Sequence, residues 1–262
     1  MNQLLSQQLN QIKLQEKKML NPVNQTFLDT TLTPMMDKIQ DKIPSKLTET
    51  LNIAFYKGFQ LVFEKGSGLL EKTYNKDKIE LEYDINNYAL DKRINKKHIN
   101  KLDRYSKQSK LVNSSISVVE GSVLGVLGIG LPDIPLFLAM LVRTIYEIAL
   151  SYGFSYSTEE EKAYLLLLIH TAIAKGEECK DLDMKLEALS NAIDNDLDVK
   201  SELDTRMKET SSALSQALLT AKFLQGIPIV GIVGGAVNYS ILNRVAKYAR
   251  IKYKKRYLLK KV

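Results

Sequence analysis

A chain of 262 residues, 45% apolar and 26% charged, has ordinary globular composition and the length to bury one large core or two small ones. Cys179 is the only cysteine, which excludes an intrachain disulfide and suits a reducing compartment. A net charge of +7 calls for an anionic partner: phospholipid headgroups, nucleic acid or an acidic protein face.

Residues 1–30, rich in Gln and Asn, read as a loosely attached N-terminal arm or helix, and 31–262 as a single all-helical domain. The opening MNQLLSQQLNQIKLQEKKML lacks the apolar core and small-residue cleavage site of a secretory signal, so the chain is expected to stay inside the cell. From about Ser45 to Tyr74, Leu47, Leu51, Ala54, Phe55, Phe59, Val62 and Phe63 form one helical stripe, with an end or bend expected at Gly66 and Gly68. A second helix, about Asp77 to Lys97, repeats Leu81, Ile85, Tyr88 and Ile94 at helical intervals. The run Lys92–Lys110 holds eight Lys and Arg against Asp103 alone, a solvated face or an anion-binding one.

Next comes 121-GSVLGVLGIGLPDIP-135, in which Gly121, Gly125 and Gly128 share one helix face. Each glycine inside a helix costs about 1 kcal/mol relative to alanine, so such a stripe implies close approach of another backbone. Pro135 is placed to open the following helix. A phosphate-binding loop is excluded: no Lys-Ser/Thr follows the glycines, no strand precedes them, and GIGLPD does not complete G-x-G-x-x-G.

Thr158 with Glu161 predicts a capping box for a helix through Ala174, ending before Gly176. A shorter helix is expected from about Asp181, then the Asp194–Asp198 cluster, then an amphipathic helix with Leu203, Met207, Leu214, Leu218 and Ala221 on one side. The second glycine-rich segment, 226-GIPIVGIVGGAVNYSIL-242, contains the helix-contact candidates Gly231, Gly234 and Gly235. It sits within 21 uncharged residues between Lys222 and Arg244, long enough to span a bilayer. Its polar residues and glycines favour a buried hairpin or interfacial helix over a span. The fold class is therefore all-α, a multi-helix bundle with two glycine-rich apolar helical segments.

The pattern GxxxGxxGxGLPDIP followed by 143-RTIYEIALSYGF-154 resembles the signature of the EcsC family. The stretch 222-KFLQGIPIVGIVGGAVNYSILNRVAKYARIKYKKRYL-258 is similar to that family's closing region. The likeness is close from about Lys110 to Leu258 and rests before that on helical character alone. It implies a bacterial accessory protein, cytoplasmic or membrane-associated, linked to an ABC transporter or secretion machinery. It carries over no established reaction and no catalytic residue.

Within the signature, Arg143 and Glu147 are i, i+4 on one helix and Asp133 lies just ahead of it. Such a cluster is either a structural ion network or the acid–base set of a hydrolase-like enzyme. The two histidines, His98 and His170, have no metal-ligand spacing; no G-x-S-x-G elbow is present, and nothing points to a cofactor. Glu177 to Glu209 holds 11 acidic against five basic residues, and after Glu209 no acid appears. The closing segment instead interleaves Tyr248, Tyr253 and Tyr257 with Arg244, Lys247, Arg250, Lys252, Lys254, Lys255 and Arg256. Directly after an uncharged segment, those cations read as an anchor to the anionic inner face of the cell membrane, with nucleic acid as the alternative ligand.

Overall fold

The computed structural model describes residues 3–21, 43–108, 133–200, 202–224 and 235–262, and every regular element among them is helical. In chain order these are α1 (Gln3–Leu20), α2 (Ser45–Leu61), α3 (Ser67–Glu71), α4 (Lys76–Lys92), α5 (Lys96–Gln108), α6 (Asp133–Ser151), α7 (Glu159–Ile173), α8 (Gly176–Asp194), α9 (Leu203–Leu224) and α10 (Gly235–Leu259). The bend expected at Gly66 and Gly68 takes the form of a π-helical turn, Val62–Gly66, between α2 and α3. The stripe Gly121, Gly125 and Gly128, together with Gly231 and Gly234, lies outside the described residues. Gly235 opens α10, but its surroundings lie outside them too.

Helix α6 is the centre. Ile134, Leu138, Leu141, Val142, Ile145, Ile148 and Ala149 are all 0% exposed, because α2, α4, α5 and α10 pack around the helix. Ile134–Ser151 is apolar and long enough to cross a membrane, with mean hydropathy 1.6, yet 83% of it is buried inside the protein. Helix α7 is covered by α8, α9 and α10, and α9 also packs on α2. The capping box is half realised: Thr158 Oγ1 accepts the Glu161 N–H at 3.2 Å, while the Glu161 carboxylate turns elsewhere. Helix α8 begins at Gly176, five residues ahead of the expected start, where a φ of +59° suits glycine.

Three expectations about burial need correction. The N-terminal arm is docked rather than loose: Leu5, Leu9 and Ile12 join the main core and α1 lies along α10. On α4, the apolar row Leu81, Ile85 and Tyr88 faces solvent, at 59%, 53% and 65% exposure. The side carrying Ile79, Tyr83, Asn86 and Leu90 turns inward instead, where Tyr83 meets the Tyr257 ring and Tyr257 Oη donates to Asn87. The third correction, the C-terminal cations, belongs to the site below.

The signature's SYGF closes α6 in a Schellman motif: the Phe154 N–H reaches Ala149 O at 3.0 Å and the Gly153 N–H reaches Leu150 O at 2.9 Å. Gly153 has φ +77°, and a Cβ there would stand 2.1 Å from Cζ of Tyr83. Gly153→Ala should therefore cost about 2–3 kcal/mol, from the left-handed backbone and the displaced Tyr83 ring. Denaturant unfolding of the variant measures it, and an unchanged midpoint would contradict the close packing of this turn.

Candidate functional site

The signature charges on α6 meet a tyrosine relay. Arg143 Nε and Glu147 Oε1 are 2.7 Å apart one helical turn along, with side chains 19% and 10% exposed. Opposite them the Tyr74 and Tyr156 hydroxyls are 2.7 Å apart, and Tyr156 donates to Glu71 Oε1 at 2.7 Å. The Arg143 guanidinium lies 5.9 Å from the Tyr74 ring, and Lys76 approaches both Glu71 and the face of Tyr156. Tyr146 stacks on Tyr156 with centroids 3.7 Å apart. Burial pushes the Tyr74, Tyr146 and Tyr156 phenols well above their usual range, so they stay neutral. Tyr74 and Tyr156 act as hydrogen-bond donors, while the buried Tyr146 hydroxyl has no partner among the described residues. Asp133, the third residue of the expected set, opens α6, but its side chain lies outside the described residues. The cluster can hold helices in register and pass a hydrogen bond from phenol to carboxylate. A described cleft of about 350 Å³ is lined by α7, α8, α9 and the segment between α8 and α9, not by Arg143 or Glu147.

The second cluster occupies the C-terminal helix, and here the structure reverses the expected exposure. Lys252, Lys254 and Arg256 are 1%, 8% and 3% exposed, so they cannot form the free cationic face read from the sequence. The Lys252 ammonium contacts Glu16 of α1 and Asp183 and Glu187 of α8, the last at 2.5 Å. Lys255 bridges the other oxygens of Glu16 and Glu187, each at 2.8 Å. Tyr248 Oη donates to Asp183. Arg256 grips Glu161 through Nη1 and Nη2, at 3.1 and 2.6 Å, and Asp194 through Nε and Nη2, at 2.9 and 2.8 Å. Its guanidinium sits 4.3 Å from the Phe154 ring centre and 4.5 Å from that of Tyr164. Lys254 binds Asp103 of α5 at 2.7 Å and Gln8 of α1 at 3.0 Å.

Of the remaining expected cations, Arg244 donates to the Ala172 carbonyl at the end of α7, and Arg250 is half-buried near Tyr152. Lys247 alone of the seven is exposed. Carboxylate oxygens of Glu16, Asp183 and Glu187 lie within 4.8 Å of one another, a spacing that suits a metal ion. The Lys252 ammonium touches all three and supplies the positive charge there.

Electrostatics follow the pairing. Burial alone would raise the Glu187 and Asp194 pKa values, but Lys252 with Lys255, and Arg256 with Lys260, outweigh it and hold both below the usual carboxylate range. Burial raises the Cys179 thiol, whose Sγ faces Thr171 O, and so disarms it as a nucleophile. His170 is held below its usual value by burial, although Glu178 lies 3.5 Å from Nε2.

The signal that could have located these partners was in the sequence. Asp183, Glu187 and Asp194 all come from the acid-rich Glu177–Glu209 stretch, whose charge is opposite to that of the tail they neutralise.

Comparison with known proteins agrees with the signature. The model of the EcsC protein family matches residues 6–258. Protein EcsC of Bacillus subtilis (strain 168) is 24% identical over 216 residues, covering 81% of this chain and 80% of that protein. No solved structure matches.

Proposed function

The chain belongs to the EcsC protein family, and from that premise we propose a non-enzymatic helical accessory protein that attaches to the anionic cytoplasmic face of the membrane and serves an ABC-transporter or secretion machine there. The observation that carries the reading is where unpaired positive charge remains. The tail's buried cations are neutralised internally, whereas Lys96, Lys97, Arg104 and Lys107 on α5, with Lys92 and Arg93 at the α4–α5 corner, are exposed and form no ion pair among the described residues. Each such residue near an anionic leaflet contributes about 1 kcal/mol. The non-enzymatic part is supported by Arg143 and Glu147 being mutually paired and bordered by neutral phenols; the hydrolase-like alternative needs a free base there.

Co-sedimentation with vesicles tests the reading. Binding should require anionic lipid and weaken as salt rises, because charge attraction is screened over about 10 Å at 0.1 M salt. Replacing Lys96, Lys97, Arg104 and Lys107 by glutamine should lower binding at least tenfold, with the fold intact because all four are exposed. Equal binding to neutral and anionic vesicles, or none to either, removes the reading. Tight RNA or DNA binding under the same conditions would put nucleic acid in its place.

A further inference from the structure

Leu81, Ile85 and Tyr88 form an outward ridge on α4, about 10 Å long, directly opposite the side that packs into the protein. Large apolar side chains exposed elsewhere form no such row: Leu14, Ile53 and Met184 stand singly on their helices, and Tyr239 and Leu259 lie near opposite ends of α10. Three in one row are a surface made for contact. Lys78 and Lys92 continue the same helical line at its two ends (the spacing is 3, 4, 3, 4), and both are exposed; the Lys92 ammonium lies 5.3 Å from the centre of the Tyr88 ring. The free cations of α5 lie along one flank, since α5 packs against α4 through Asn86 and His98. Along the other flank run Asp77, Asp84 and Asp91, the last held by Lys261 at 2.5 Å.

We propose that this ridge enters the headgroup–acyl boundary of an anionic membrane, with α4 rolled toward its α5 side. The proposal rests on the membrane reading above and adds the inserting surface to it. Charge complementarity favours lipid over another protein copy. A second copy laid along the ridge places lysine on lysine at both ends, whether the helices run parallel or antiparallel, whereas a layer of phosphate groups satisfies Lys78, Lys92 and the α5 cations together. Leucine and isoleucine supply the apolar depth and tyrosine suits the headgroup level. The acidic flank is kept away from the surface by the roll.

The chain contains no tryptophan, so Tyr88→Trp supplies a single fluorescent reporter on the ridge. Two kinds of vesicle are compared: phosphatidylcholine alone and phosphatidylcholine mixed with phosphatidylglycerol. With the mixed vesicles the emission should shift to the blue and be quenched by lipids brominated high on the acyl chain. In a Leu81→Gln/Ile85→Gln variant, the binding that survives high salt should fall about tenfold, because apolar burial is not screened. A silent reporter on protein that still sediments with anionic vesicles overturns the ridge and leaves the membrane reading standing. Full salt-resistant binding by the double variant does the same. A wild-type protein that ignores both kinds of vesicle overturns both. A lipid-free dimer abolished by the double substitution replaces the membrane with a second copy.

Discussion

Arg256→Met should lower stability by about 3–5 kcal/mol, one of the two largest single-residue effects expected in this protein. The substitution keeps most of the apolar stem but removes four charge-assisted hydrogen bonds to Glu161 and Asp194. Glu161 is 6% exposed and keeps no other described cation, so a buried carboxylate is left uncompensated. At about 2–4 °C per kcal/mol for a chain of this size, the melting temperature should fall by about 10 °C. Arg256→Lys should recover only part of the loss, since an ammonium cannot serve both carboxylates in the planar fork or lie flat between Phe154 and Tyr164. A methionine variant as stable as the wild type would mean that apolar packing of the stem outweighs the ion network.

The second large effect is at Lys252, and it carries a pH signature. Lys252→Met leaves Glu16, Asp183 and Glu187 facing one another with Lys255 as the remaining lysine, at a cost of about 3–5 kcal/mol near pH 7. In the wild type, Glu187 has a folded pKa below its unfolded value of about 4.3, and Asp194 one below about 3.9. Their contribution is complete above those unfolded values and is lost as pH falls through the lower folded ones. In the variant only Lys255 remains to oppose burial and crowding at Glu187, so its folded pKa should rise. The variant should then lose less stability than the wild type, or gain some, as pH falls from 7 toward 5. Chemical denaturation at pH 7 and pH 5 should show the gap between the two proteins narrowing. A gap independent of pH would sink the electrostatic explanation.

Some of this was legible in the sequence and some was not, for reasons that lie in particular residues. Thr158 marked the start of α7 because an N-cap is a local device, complete within four residues. The all-helical class followed from spacing that recurs along the whole chain. On α4, by contrast, two apolar rows compete: Leu81, Ile85 and Tyr88 on one side, and Ile79, Tyr83 and Leu90 on the other. Only the positions of α5, α6 and α10 decide which turns inward. The pair Arg143–Glu147 could be read from i, i+4 spacing, but Tyr74, Tyr156 and Glu71 come from elements whose approach no local pattern encodes. The tail misled for the same reason. A run of cations has the same composition whether it faces lipid or a helix carrying acids, and α8 with α1 supplies the acids here.

The contact between Glu16 and Lys252 joins residues 236 positions apart in the chain. During translation Glu16 leaves the ribosome long before its partner exists, and α1 waits unpaired while the whole helical middle is made. Helix α6, which α10 helps to cover, waits with it. Residues Ile134–Ser151 thus spend that interval as an apolar segment long enough to resemble a membrane span, visible to chaperones and to the insertion machinery alike. The arrival of α10 ends this interval by closing the core and the charge network in one step. Nascent chains halted before Lys252 should therefore remain protease-sensitive throughout, α1 included, while those extended past Leu258 become resistant as a unit.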